Sequence, residues 1–98
     1  MIKLTPPQRQ YLKGLAHPLS PVILIGEKGL TEAVLKETGR ALKAHELIKI
    51  KADSGEKETR AQWLESICAE LGAAPVQSIG KMLVIYRAAE KPAIQLPR

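Results

Sequence analysis

Apolar residues recur along this chain with two alternating periods, one helical and one extended. Tyr11, Leu12 and Leu15 fall on one helical face. Their helix opens at Thr5-Pro6-Pro7, with Thr5 as cap, proline in the first turn and Gln8 placed for a capping box. Pro18 ends it. Val22-Ile23-Leu24-Ile25 is short and wholly apolar, the pattern of a strand covered on both faces. Gly26-Glu27-Lys28-Gly29 breaks that strand, and the helical period returns from Leu30 to about His45. At about 100° per residue, Leu30, Val34, Thr38, Ala41, Leu42 and His45, with Leu35 at the margin, share an arc of about 140°. Leu47 to Ala52 alternates: Ile48, Ile50 and Ala52 point one way, and Leu47, Lys49 and Lys51 the other. Glu56 to Leu71 forms a third helical stretch, with Arg60 or Ala61, Leu64, Ile67, Cys68 and Leu71 inside and Gly72 closing it. Val76–Ile79 and Met82–Arg87 are strands joined by Gly80-Lys81, a pair suited to a Gly-first hairpin turn.

The order is therefore α-β-α-β-α-β-β. Strand–helix–strand units favour parallel neighbours and the final hairpin is antiparallel, which predicts an α/β fold: a compact two-layer domain with a mixed four-stranded sheet. A length of 98 residues fits one domain, 1–98, with residues 90–98 as an extended, loosely held tail carrying Pro92 and Pro97. The longest apolar run, Met82 to Tyr86, is far too short to span a bilayer, and the N-terminus lacks a signal-peptide pattern. The expectation is a soluble, cytoplasmic protein with no membrane partner. The single cysteine, Cys68, lies at helical spacing from Leu64 and Leu71 and is expected in the core.

Charge sharpens the picture. The net charge is +5, and residues 1–51 hold nine basic and four acidic residues while 52–98 hold six of each. A sequence pI of 9.6 with this asymmetry points to a polyanionic partner. Catalysis finds little support. His17 and His45 each stand at the end of a helix, with no nucleophile and base around them, and metal ligands do not cluster. The chain is expected to be no enzyme, with no catalytic residue, metal, cofactor or small-molecule substrate.

The segment Gly26-Glu27-Lys28-Gly29 is a G-x-x-G between a strand and a helix, and not a nucleotide-binding fingerprint. Glycines let the backbone approach a ligand, and the N–H groups of the helix that follows favour an anion such as a phosphate. Lys28 lies inside the loop, and Lys36, Arg40 and Lys43 line the outer face of the helix it opens. Thr31 either caps that helix or donates to a phosphate. These residues form the candidate RNA-binding site: Gly26, Lys28, Gly29, Thr31, Lys36, Arg40 and Lys43. Lys13, Lys49 and Lys51 are possible secondary contacts. Only Tyr11, Trp63 and Tyr86 are aromatic, which favours recognition of RNA by shape and phosphate over base stacking.

Leu12-Lys13-Gly14-Leu15-Ala16-His17-Pro18, Pro21-Val22 through Ile25-Gly26, Gly29-Leu30-Thr31 and His45-Glu46-Leu47-Ile48-Lys49 resemble the YhbY family of CRM-domain proteins. Val76-Gln77 through Ile79-Gly80-Lys81, and Val84-Ile85-Tyr86-Arg87, extend the resemblance almost to the end. It implies a CRM-type RNA-binding domain similar in fold to the C-terminal domain of translation initiation factor three. It also implies a ribosome assembly factor whose partner is ribosomal RNA in precursors of the large subunit. The family's G-x-x-G loop and basic neighbours map onto Gly26, Lys28, Gly29, Lys36, Arg40 and Lys43. Glu27 is an unfavourable charge in that loop. The alternative function is a protein-interaction module docking on a ribosomal protein through the outer sheet face, marked by Leu47, Lys49 and Lys51.

Overall fold

The computed structural model describes residues 3–97. Its elements follow the expected order: α1 (Pro6–Ala16), β1 (Ile23–Ile25), α2 (Glu32–His45), β2 (Leu47–Ala52), α3 (Lys57–Leu71), β3 (Ala74–Ile79) and β4 (Met82–Tyr86). The sheet order is β1-β2-β4-β3. β1 and β2 are parallel, and β4 runs antiparallel to both neighbours. The crossover through α3 therefore does not set β3 beside β2. Its all-apolar sequence takes β4 into the gap between them, where Leu83, Val84, Ile85 and Tyr86 are buried.

Local chemistry fixes the element ends. Thr5 Oγ1 accepts from the Gln8 N–H while Gln8 Oε1 accepts from the Thr5 N–H, so α1 opens with a full capping box. α3 closes at Gly72 in the left-handed conformation. The hairpin turns at Gly80, whose φ of 55° suits the Gly-first turn. β3 begins two residues earlier than the pattern suggested. Pro75 lies there on an edge strand beside a register shift, a place where a missing N–H does little harm.

The core is double. On one face, Ile23, Ile25, Ile48, Ile50, Leu83 and Ile85 pack against Leu42 of α2 and Ile67 and Cys68 of α3. On the other, Leu47, Val84, Tyr86, Ala74 and Val76 pack against Leu12 and Ala16 of α1, with Ile94 and Leu96 of the tail alongside. The helices thus lie on both faces, and α1 with the tail adds a thinner third layer. Four local readings change as a result. Leu47 is buried and does not mark an open surface. Tyr11 and Leu15 are exposed, because Leu12 and Ala16 are the α1 residues that face the sheet. β1 is an edge strand covered on one face, which leaves Val22 and Leu24 in solvent. The tail is extended but held: the Ala93 N–H donates to Glu46 Oε1 at 2.6 Å and Gln8 Nε2 donates to the Pro97 carbonyl at 3.1 Å.

Glu46 is the one non-glycine residue at positive φ among those described, at 64°. It is buried, its carbonyl accepts from the Arg87 N–H, and its Oε2 has no partner. Its side chain joins the end of α2 to the tail. Burial, and then the Glu46 charge, push the Tyr86 hydroxyl pKa upward.

Candidate nucleic-acid interface

Because β1 and β2 are parallel neighbours, their C-terminal ends lie at the same edge of the sheet. Both lead into helices packed on the same face, so the turn before α2 and the loop before α3 stand side by side. In the first, the Gly29 N–H donates to the Gly26 carbonyl at 3.0 Å, closing a tight turn with Glu27 and Lys28 exposed at its tip. Ser54 Oγ of the second loop donates to the same Gly26 carbonyl at 2.6 Å.

The two glycines differ in purpose. Gly29 has φ +72°, and a Cβ there would stand 3.2 Å from Cζ2 of Trp63. Its conformation and its neighbour both demand glycine. Gly26 has ordinary φ, and a Cβ there would meet nothing within 4 Å. The fold itself does not require glycine at position 26: its carbonyl is held by the two loops, but its Cβ direction is open.

Trp63 braces both loops. A Cβ on Gly55, whose φ is +81°, would stand 2.9 Å from its ring. Arg60 Nη1 also donates to the Gly55 carbonyl at 2.7 Å. Neither this role of Trp63 nor the parts of Ser54 and Gly55 follow from the sequence pattern. The available signal was a second glycine turn, Asp53-Ser54-Gly55, entering a helix from a parallel strand.

α2 then carries the charges. Thr31 caps it, its Oγ1 accepting from the Val34 N–H at 3.2 Å. Leu30, Val34, Leu35 and Ala41 pack on the core with Thr38 and Leu42 fully buried. This leaves Lys36, Arg40 and Lys43 exposed, spaced over about two turns and about 10 Å of helix. Glu32 and Glu37 are exposed on the same helix. His45, expected on the inner face, is exposed, because α2 ends there and turns into Glu46.

The secondary candidates do not join this patch. Lys49 and Lys51 alternate with the core residues of β2 and so belong to the opposite face of the sheet. Lys49 Nζ lies 3.5 Å from the His17 carbonyl at the end of α1. Lys13 lies on α1, on that same opposite face. Among the described residues, no group of three or more His, Cys, Asp or Glu side chains is placed to hold a metal ion. None of their helices is long and apolar enough to cross a membrane.

The model of the CRS1/YhbY (CRM) domain matches residues 4–87, which takes in every helix and strand described above. The chain belongs to the CRS1/YhbY (CRM) domain family. A relative from Haemophilus influenzae, named an RNA-binding protein, is 50% identical over 98 residues, covering 100% of this chain and 99% of that one. A relative from Pseudomonas aeruginosa, named a probable RNA-binding protein, is 46% identical over 89 residues, 91% of this chain and 86% of its own. The fold is similar to the solution structure of a hypothetical protein and candidate RNA binder from Staphylococcus aureus. There the TM-score is 0.85 at 34% identity, covering 97% of this chain and 100% of that one. In this CRM domain the G-x-x-G segment leads directly into α2, and Lys28, Lys36, Arg40 and Lys43 are all exposed along the two.

Proposed function

We propose that this protein binds RNA through the Gly26–Gly29 turn and the outer face of α2. In this reading it is a cytoplasmic assembly factor on precursors of the large ribosomal subunit. It performs no covalent chemistry; it holds or shields an RNA fold during maturation. The observation that carries the reading is the run of Lys28, Lys36, Arg40 and Lys43, all exposed, leading away from a turn whose Gly26 has no internal need to be glycine. Gly26 admits the sugar–phosphate backbone close to the main chain. The first-turn N–H groups of α2 favour its charge. Lys36, Arg40 and Lys43 then follow successive phosphates. Nothing in this arrangement reads base edges, which suits shape recognition of a folded RNA. The names of the relatives support RNA as the partner, and the resemblance to the YhbY family supports the ribosomal assignment.

The test is fluorescence anisotropy with structured large-subunit ribosomal RNA fragments across a salt series. The wild type is compared with a Lys28→Asp/Arg40→Glu double variant whose fold is verified by circular dichroism. The expected result is a steep loss of affinity with salt for the wild type, and weaker, less salt-dependent binding for the variant. Equal binding by both proteins, or binding by neither, overturns the assignment of RNA to this surface.

A further inference from the structure

The sheet face away from α2 and α3 is only half covered. α1 and the tail lie over Leu47, Val84, Tyr86, Ala74 and Val76. Past them, a row crosses all four strands: Leu24 opposite Lys51, Lys51 opposite Met82, and Met82 opposite Ile79. Leu24 is 58% exposed, Ile79 60% and Val22 53%. Towards α1 this strip runs into an open cavity of about 470 Å³ lined by Leu15, Leu19, Val22, Leu47 and Ile94. The polar groups in its wall are Ser20, His45 and Lys49, with no carboxylate among them. The first acid after β2 is Asp53, which is paired with Lys81 at 3.6 Å. The bare half is therefore aliphatic ground with ammonium groups rising from its central strand. A contiguous exposed apolar strip of this kind marks an interaction site.

Its chemistry narrows the occupant. The strip itself carries no ring on which a nucleic-acid base could stack. A second copy of this chain, applied face to face, would set Lys49 and Lys51 against their own counterparts in a drying interface, a costly arrangement. The tail shows what the face accepts. It lays Ile94 and Leu96, an alternating aliphatic pair of extended chain, on the covered half, and there the domain supplies the carboxylate of Glu46. On the bare half the domain supplies the ammonium groups, so the complement carries carboxylates.

We propose that the strip formed by Val22, Leu24, Lys49, Lys51, Ile79 and Met82 docks an acidic protein segment rich in aliphatic side chains. It lies on the side of the sheet opposite the basic α2 surface, so one CRM domain could hold an RNA and a protein at once. This inference does not depend on RNA binding at α2.

The test uses two synthetic peptides, one alternating leucine with glutamate and one alternating leucine with lysine, titrated into the full ¹⁵N-labelled chain. The expected result is saturable amide shifts from the acidic peptide, confined to residues 22–24, 47–51 and 79–82. A folded Lys49→Glu/Lys51→Glu variant should weaken that peptide by about tenfold, as two attractive charge pairs at half-exposed positions become repulsive. Saturating α2 with RNA should leave the peptide's affinity unchanged. The proposal is overturned if the acidic peptide gives no saturable shift, if the basic peptide binds equally well, or if structured RNA itself moves the strip's amides.

Discussion

Cys68 is 2% exposed between α3 and the sheet, and burial pushes its thiol pKa from an ordinary 9.0 up to about 11. The thiol stays neutral at physiological pH and behaves as a small hydrophobe. The raised value fixes the sign of a pH effect. Below pH 9 the thiol is protonated in both folded and unfolded chains, so its contribution to stability is complete. Between about 9 and 11 the unfolded chain ionises and the folded chain resists, so stability falls as pH rises. Tyr86, also raised, adds in the same direction. The melting temperature should hold level towards pH 9 and fall above it, and Cys68→Ala should flatten part of that fall. Thermal melts of the two proteins across alkaline pH check this. An equal alkaline slope in both would show that Cys68 is not the group responsible.

At the scale of elements, the two glycines of the G-x-x-G turn differ: the fold requires Gly29, whereas Gly26 is left to the proposed contact with RNA. Gly29→Ala forces a left-handed φ on a residue with a side chain and pushes it against Trp63, at a cost of about 1–2 kcal/mol. Gly26→Ala should leave stability within about 0.5 kcal/mol. If the backbone at Gly26 is where RNA approaches, that same change should weaken RNA binding several-fold. Chemical denaturation paired with RNA titration of both variants reads the two effects apart. The sequence showed the motif but not this division of labour, because the partner of Gly29 lies on α3, 34 residues away. Long-range placement explains the other departures too. Apolar periodicity gave β1 two buried faces, but its edge position leaves one open. The tail reads as loosely held because Glu46, which anchors it, appears in sequence as one more charged residue at a helix end. Helix caps, the hairpin turn and the inner stripe of α2 depend on neighbours within a few residues, and these were legible. Gly39 remains without a structural requirement: a Cβ there would make only ordinary contact, 3.6 Å, with Leu71.

At the scale of the whole molecule, the sheet separates two sets of lysines that the sequence lists together. Lys36, Arg40 and Lys43 face outward from α2, while Lys49 and Lys51 rise from the far side of the sheet. A helix is about 10–12 Å across and the Debye length at physiological salt is about 8 Å. Charges on one side are thus largely screened from a polyanion on the other. The salt dependence of RNA binding should then count one side only. Four phosphates met by Lys28, Lys36, Arg40 and Lys43 predict a slope of log affinity against log salt of about −3.5. Replacing each of these four by Gln should make the slope shallower by about 1. Lys49→Gln and Lys51→Gln should leave it within error, since their counterions are not displaced. Anisotropy titrations of the six single variants across a salt series decide the matter. A slope that shrinks for the β2 lysines as much as for those of α2 would mean that RNA wraps around the edge of the sheet, and the two faces would then be one site.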